Sequence, residues 1–418
     1  MKKWIIGAYA ILVLAALCLV FALTPSNQPD DPTQPPATVP TQPTLAPTQP
    51  VYKGEIRLYQ CDADLAEKWA VLAERYTLLT GISVSIITPE GDCDDSLPQY
   101  MGSEDAPTIF CLHHSHDLEQ WKNHCLDLSG SIIANALQQD IFALRDGEKI
   151  LGVAGNVESY GIIYNSKLLA AAGYTAEDIT DFDSLKTVVS NITANKKKLG
   201  FSAFASPDLK NTDHQGLLCL LAGLSEDSAV LREFWDLYSS NNVRSGAALT
   251  QSSRNDTLAD FQNGKAVFAL GGTWDYEHLS KIEDYFLGIL PVYTSADQEN
   301  LGLHHASTGY WCVNSQAGDL DRAVSLDFLG WLVTAEEGAV APVDELQLLT
   351  PYKDTKYAGN PLEQLVLRAM ENSTNIHWNS CDDLSPQVLK KFGNALSAYT
   401  KNPTDKKWEE VAKLKEDE

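Results

Sequence analysis

Acidic, imidazole and aromatic side chains recur at the ends of short apolar runs in this chain. Asp62 and Asp64 follow Glu55-Ile56-Arg57-Leu58-Tyr59, and His113 and His114 follow Ile109-Phe110-Cys111-Leu112. Glu158 and Tyr160 precede Ile162-Ile163-Tyr164, Trp274 follows Gly271-Gly272, and Tyr310, Trp311 and Trp378 come later. Carboxylates and imidazoles supply directional hydrogen bonds, while an indole or phenol face covers apolar C–H surface. Together they suit a neutral, polyhydroxylated ligand. Other chemistries draw on the same residue types. Glu158 with Asp62 or Asp64 could be the paired carboxylates of a glycosidase, and aromatic walls with carboxylates also suit a cationic peptide or polyamine. Three close histidines raise zinc. His113 and His114 are adjacent, however, and point apart on an extended chain, with no cysteine or carboxylate at a usual ligand spacing. They read as hydrogen-bonding groups, so no metal and no cofactor is expected. The chain has no Gly-x-Ser-x-Gly elbow, phosphate loop or His-Glu-x-x-His helix, and no catalytic residue is assigned.

The elements that must position these groups follow from hydrophobic period. Residues 55–59 alternate as a strand, residues 65–79 repeat at helical spacing, and residues 82–87 and 107–112 read as two further strands. This β-α-β-α-β series belongs to an α/β, doubly wound sheet, in which ligands sit beyond the C-terminal strand ends. By that rule Gln60, Asp62 and Asp64, with His113, His114, Ser115 and His116, line one side of a cleft. Gly161-Ile162-Ile163-Tyr164 is a buried strand, Ser166 is placed to cap the next helix and Gly173 to close it. Helices are expected over 181–192, 217–224, 230–238, 321–334, 362–371 and 387–399.

A chain of 418 residues exceeds what one core normally fills, so two lobes are expected. The formal charge of −25 opposes binding to nucleic acid or anionic lipid. Met1-Lys2-Lys3 precedes an apolar run to Leu23, long enough to span a bilayer with its lysines inside. A cleaved signal peptide ending near Ala22 and a lipid anchor at Cys18 are the alternatives. Residues 24–53 are rich in Pro, Thr and Gln and read as an extended tether, which places the folded part outside the cytoplasm. Seven of the eight cysteines lie beyond the apolar run, so at least one thiol is unpaired; a disulfide among Cys61, Cys93 and Cys111 is compatible with the pattern. Sequons begin at Asn191, Asn255 and Asn372 and are read as chance.

Two phrases resemble a known family. Val157-Glu158 running to Ile163-Tyr164-Asn165, and Phe261-x-x-Gly264-x-Ala266-x-Phe268 followed by Gly272-x-Trp274, are similar to the maltose-binding-protein group of extracellular solute-binding proteins, family 1, which serve ABC importers. The resemblance spans roughly residues 55–400. It implies a two-lobed periplasmic-binding-protein-like fold with the ligand cleft between doubly wound lobes. Lobe 1 would be residues 54–155 with about 312–352, and lobe 2 residues 156–311 with about 353–418. It further implies a monomeric, non-enzymatic receptor that captures a sugar or oligosaccharide and hands it to permease subunits. Trp274 would stack on a sugar ring, and Trp378 would lie in a late segment that closes the cleft. Thr108 stands where the family usually has aspartate after proline.

Overall fold

Burial on alternate residues makes Glu55–Tyr59 (β1) a strand, and Trp69, Leu72, Ala73 and Tyr76 form the buried stripe of Ala66–Thr80 (α1). Gly81, at φ +75°, ends that helix by donating its N–H to the Thr77 carbonyl, a left-handed cap that a side chain would strain. The computed structural model describes residues 53–211, 217–225, 227–279, 282–283, 286–296, 302–307, 309–336, 338–353, 355, 361–371, 375–377 and 386–416. The apolar run, the tether and Trp378 lie outside the described residues. Among those described, no helix is long and apolar enough to cross a membrane.

Two six-stranded sheets organise residues 53–418, which form one compact unit. The first joins β1 to Ser83–Ile87 (β2), Ile109–Leu112 (β3), Ala143–Asp146 (β4), Lys149–Ala154 (β5) and Tyr310–Val313 (β11), in the order β2-β1-β3-β11-β5-β4. The second contains Val157–Asn165 (β6), Ser202–Phe204 (β7), Ala266–Gly272 (β8), Leu287–Leu290 (β9), Leu303–Ser307 (β10) and Asn375–His377 (β12). Its order is β12-β10-β6-β8-β7, with β9 also paired to β6. β2-β1-β3 are parallel, as a doubly wound start requires, but β11, β5 and β4 pair antiparallel, so the sheet is mixed. The cause is topological. β11 re-enters from the second sheet, and β4 and β5 are a hairpin turning at Asp146-Gly147, where glycine takes φ +61°.

The structure shifts several element ends. The third strand starts at Ile109 instead of Pro107, since proline has no N–H to donate. Asn165, not Ser166, caps the helix after β6, its side chain accepting from the Leu168 N–H at 3.1 Å. The later helices are Phe182–Ala194, Leu217–Gly223, Ser228–Ser240, Asp319–Thr334, Pro361–Glu371 and Pro386–Lys401, followed by Asp405–Glu416, which the hydrophobic period does not reveal. Thr108 is fully buried. Its hydroxyl accepts from the Arg57 N–H at 3.1 Å and meets the Ser325 hydroxyl at 2.9 Å, so a neutral group satisfies strand and helix where an aspartate would bury a charge.

The chain passes between the sheets at residues 155–156, between β5 and β6, and again between β10 and β11. Tyr310 and Trp311 therefore stand in the first sheet. The crossings are tied together: the Gly155 N–H donates to the Gly309 carbonyl at 2.8 Å, the Val157 N–H to the Leu349 carbonyl at 2.7 Å, and the Tyr352 hydroxyl to the Ala154 carbonyl at 2.8 Å. One core packs the first sheet against α1 and Asp319–Thr334, where the Tyr76 ring meets Phe328 at 4.9 Å and Trp331 at 5.2 Å. Another fills the outer face of the second sheet around Phe204, Trp235 and Phe268.

Candidate ligand-binding site

A cavity of about 370 Å³ opens where the crossings meet the C-terminal ends of β1 and β3. That size is near the small end of ordinary ligand pockets, roughly 300–1,000 Å³. Gln60, Asp62, His113, Asn156 and Glu158 bring polar groups to it, and Trp69 and Trp311 bring indoles. The two indoles meet edge to face, centroids 6.3 Å apart at 80°. Gly155 makes room for Trp311: a β-carbon there would lie 2.6 Å from the indole. A bulkier residue at this crossing would push the ring out of place.

Each polar group is held by its element. The Gln60 side chain donates to the Thr88 hydroxyl and accepts from the Asp62 N–H, which sets the loop after β1. Asp62 caps the short helical turn Ala63–Leu65 by accepting from the Asp64 N–H at 2.9 Å. The disulfide Cys61–Cys93 ties this loop to Cys93–Met101 (α2 in the chain), with Cα atoms 5.5 Å apart. Cys219 is also disulfide-bonded, and Cys111, Cys125 and Cys312 are free. Desolvation pushes the Cys111 thiol up to about 12, which disfavours its thiolate. Asn156 accepts from the Leu349 N–H at 2.9 Å, and Glu158 sits two residues into β6, opposite Ala306.

Among the expected site residues, Asp62, His113, Glu158 and Trp311 are brought together in this cavity. Asp64 is exposed and outside its lining. His114 starts the turn after β3, its N–H bound to the Asp117 carboxylate at 2.9 Å. Tyr310 is buried in the first core. Tyr160 shares Glu158's face of β6 but lies one pleat further on, where its ring is only 1% exposed and its phenol is pushed well above its usual pKa by burial. It offers no open face. Trp274 is half-buried, lies back over Gly272, and packs on Tyr160 at 5.8 Å; it does not line the cavity. Arg254 fixes that corner by pairing with both oxygens of buried Asp275. Trp69, Asn156 and Leu348 escaped the sequence reading. Trp69 was hidden because an aromatic at helical spacing reads as core; its place on the first turn after the Asp62 loop was the available signal.

A mixed-sheet lobe on either side of a tied crossing, with a polar and aromatic cavity at the junction, defines a two-lobed binding protein. Residues 72–358 match the family described as bacterial extracellular solute-binding protein, and the chain belongs to that family. No curated protein matches it by sequence. Solved structures share the fold at low identity. The apo form of RafE from Streptococcus pneumoniae has a TM-score of 0.67 at 14% identity, covering 88% of this chain and 98% of that one. A family 1 extracellular solute-binding protein from Bifidobacterium longum subsp. infantis gives 0.64 at 19%, covering 87% and 98%. The sugar-binding protein MalE from Xanthomonas citri gives 0.64 at 16%, covering 87% and 96%. RafE has also been solved in complex with raffinose.

Proposed function

We propose that this protein is the extracellular receptor of an ABC importer that captures a sugar or short oligosaccharide and delivers it to permease subunits. The observation that carries the reading is the single cavity in which Asp62, His113 and Glu158 converge with the indoles of Trp69 and Trp311. Carboxylates and imidazole serve hydroxyls, and indole faces serve the C–H surface of a sugar ring. The raffinose complex of RafE supports the ligand class. A first ring occupies the cavity, and Trp274 is a wall reached only by a ligand that extends along the second lobe. The Gly155–Gly309 contact is where the lobes rotate to close, excluding water and strengthening each hydrogen bond. Catalysis is not part of this function: Glu158 and Asp62 hold hydroxyls, and bound sugar leaves unchanged. The apolar run at residues 4–23 and the tether keep the receptor at the outer face of the membrane.

Thermal unfolding of the full chain against mono- and oligosaccharides, with amino acids, peptides and polyamines as controls, tests this. A ligand at a hundredfold excess over its Kd stabilises the native state by about 2.7 kcal/mol, a shift of several degrees. A shift with one class of sugar supports the receptor; shifts with cationic ligands alone reassign it. Release of reducing sugar, lost in Glu158→Gln, would make it a glycoside hydrolase.

A further inference from the structure

We infer that the rim of the cleft carries a transition-metal site formed by Asp94, His113 and His114. One carboxylate oxygen and two imidazole nitrogens lie within 4.8 Å of one another there. Adjacent histidines come together where the strand ends at Leu112: residues 113–114 form a bend, with His114 itself still extended at φ −120°, before the helical turn Ser115–Asp117, so the regular alternation of a paired strand no longer separates the rings. The ring centroids stand 5.9 Å apart at 63°.

The third donor comes from another element. Asp94 lies in the first turn of Cys93–Met101, whose cap, Asp92, accepts the Asp94 and Asp95 N–H groups at 3.0 and 3.1 Å. Cys93 beside it is locked to Cys61, so the carboxylate is tied covalently to the loop after β1, the strand paired with β3. Asp94 Oδ2 stands 3.8 Å from His113 Nδ1. On the other side, Asp117 fixes the His114 backbone, and the His116 ring stacks on His114 at 5.2 Å with planes 5° apart.

Two nitrogens and one oxygen suit a borderline divalent ion such as zinc, cobalt or nickel, and discriminate against magnesium and calcium, which prefer all-oxygen sets. Donors on one tetrahedral zinc lie about 3.4 Å apart at bond lengths of about 2.0–2.1 Å. Small rotations of side chains that are 38% and 41% exposed, for His113 and Asp94, close the gap. Three protein donors leave a coordination position for water. The disulfide withdraws the competing set, Cys61, Cys93 and His113, whose donor atoms also lie within 4.8 Å. The site does not depend on which ligand fills the cavity, and no sugar is needed to test it.

Zinc is titrated calorimetrically into the full chain without reductant, in parallel with magnesium and calcium, and cobalt binding is followed by its visible absorption. The expected result is one equivalent of zinc, not displaced by millimolar calcium. Its affinity should fall at least about tenfold in each of Asp94→Asn, His113→Gln and His114→Gln. Asp94→Asn keeps the side chain's shape, and metal-free unfolding of each variant shows that it is folded. Absence of saturable binding overturns the site. So does one-equivalent binding that survives Asp94→Asn and His114→Gln undiminished, since the ion then sits elsewhere on this acidic surface.

Discussion

Glu158 and Trp274 separate two roles at the scale of single residues. Glu158 lines the cavity at the start of β6, just past the crossing, whereas Trp274 lies back on Gly272 outside it. A charged hydrogen bond to a ligand hydroxyl contributes about 1.5–3 kcal/mol. Glu158→Gln should therefore weaken sugar binding about ten- to hundredfold, measured by calorimetry. Trp274→Ala should cost a monosaccharide little and an oligosaccharide about tenfold or more, if stacking contributes about 1–3 kcal/mol. Equal losses for both lengths would move Trp274 into the cavity wall proper. His113 stands between the two proposed sites, with one lobe's carboxylate at its ring nitrogen. The His113 imidazole, 3.8 Å away, holds the Asp94 carboxyl below its usual range, against partial burial that would raise it.

At the scale of elements, the helix Arg254–Gln262 anchors the second lobe's glycine loop. Its capping box joins Ser253 and Asp256, with Asp256 accepting the Ser253 N–H at 2.9 Å and the Arg244 guanidinium at 2.8 Å. The Ser253 N–H, then Arg244, lowers the Asp256 carboxyl to about 2. Because the folded pKa is depressed, its stabilisation is complete above the unfolded value near 4 and is lost as pH falls toward 2. Asp256→Asn should thus lower Tm at pH 6, with the difference from the parent chain vanishing near pH 2. The same helix sends Arg254 to Asp275, which is 3% exposed. Asp275→Ala removes the carboxylate from a half-buried guanidinium that keeps its bond to the Leu270 carbonyl at 3.1 Å, and should cost about 1.5–3 kcal/mol in denaturant unfolding. A loss under 1 kcal/mol would mean that water reaches Arg254.

For the whole molecule, the charge of −25 sets a field that favours cations and is indifferent to neutral sugars. Sugar affinity should change less than about twofold between 20 and 500 mM salt, whereas a polyamine would lose affinity steeply as screening shortens to a few ångströms. Steep salt dependence would point to a cationic ligand. Both outcomes are read by titration of the full chain. The bonds Gly155–Gly309, Val157–Leu349 and Tyr352–Ala154 all fall in one short strip at the crossings, about which the proposed closure would turn.

Local pattern was enough for the elements, because burial on one face stamps a period on each: the stripe Trp69-Leu72-Tyr76, the alternation of β1 and the capped helix after Asp181 were all legible. So were the loops that reach the cleft, since Asp62, His113 and Glu158 end or begin strands whose ends must lie together. The helix Asp405–Glu416 was not, its charges masking a narrow buried stripe of Trp408 and Val411. Distant contacts decided the rest. Whether Tyr160 opens or is sealed depends on packing one pleat along β6. Trp69 joins Trp311 only because the sheet takes in β11 beside β3, drawn from more than two hundred residues later. His113 and His114 converge only because the chain turns after Leu112 and a disulfide brings Asp94 beside them. Sequence carries the period of each element; the proximity of side chains is a property of how those elements pack, and only the tertiary structure holds it.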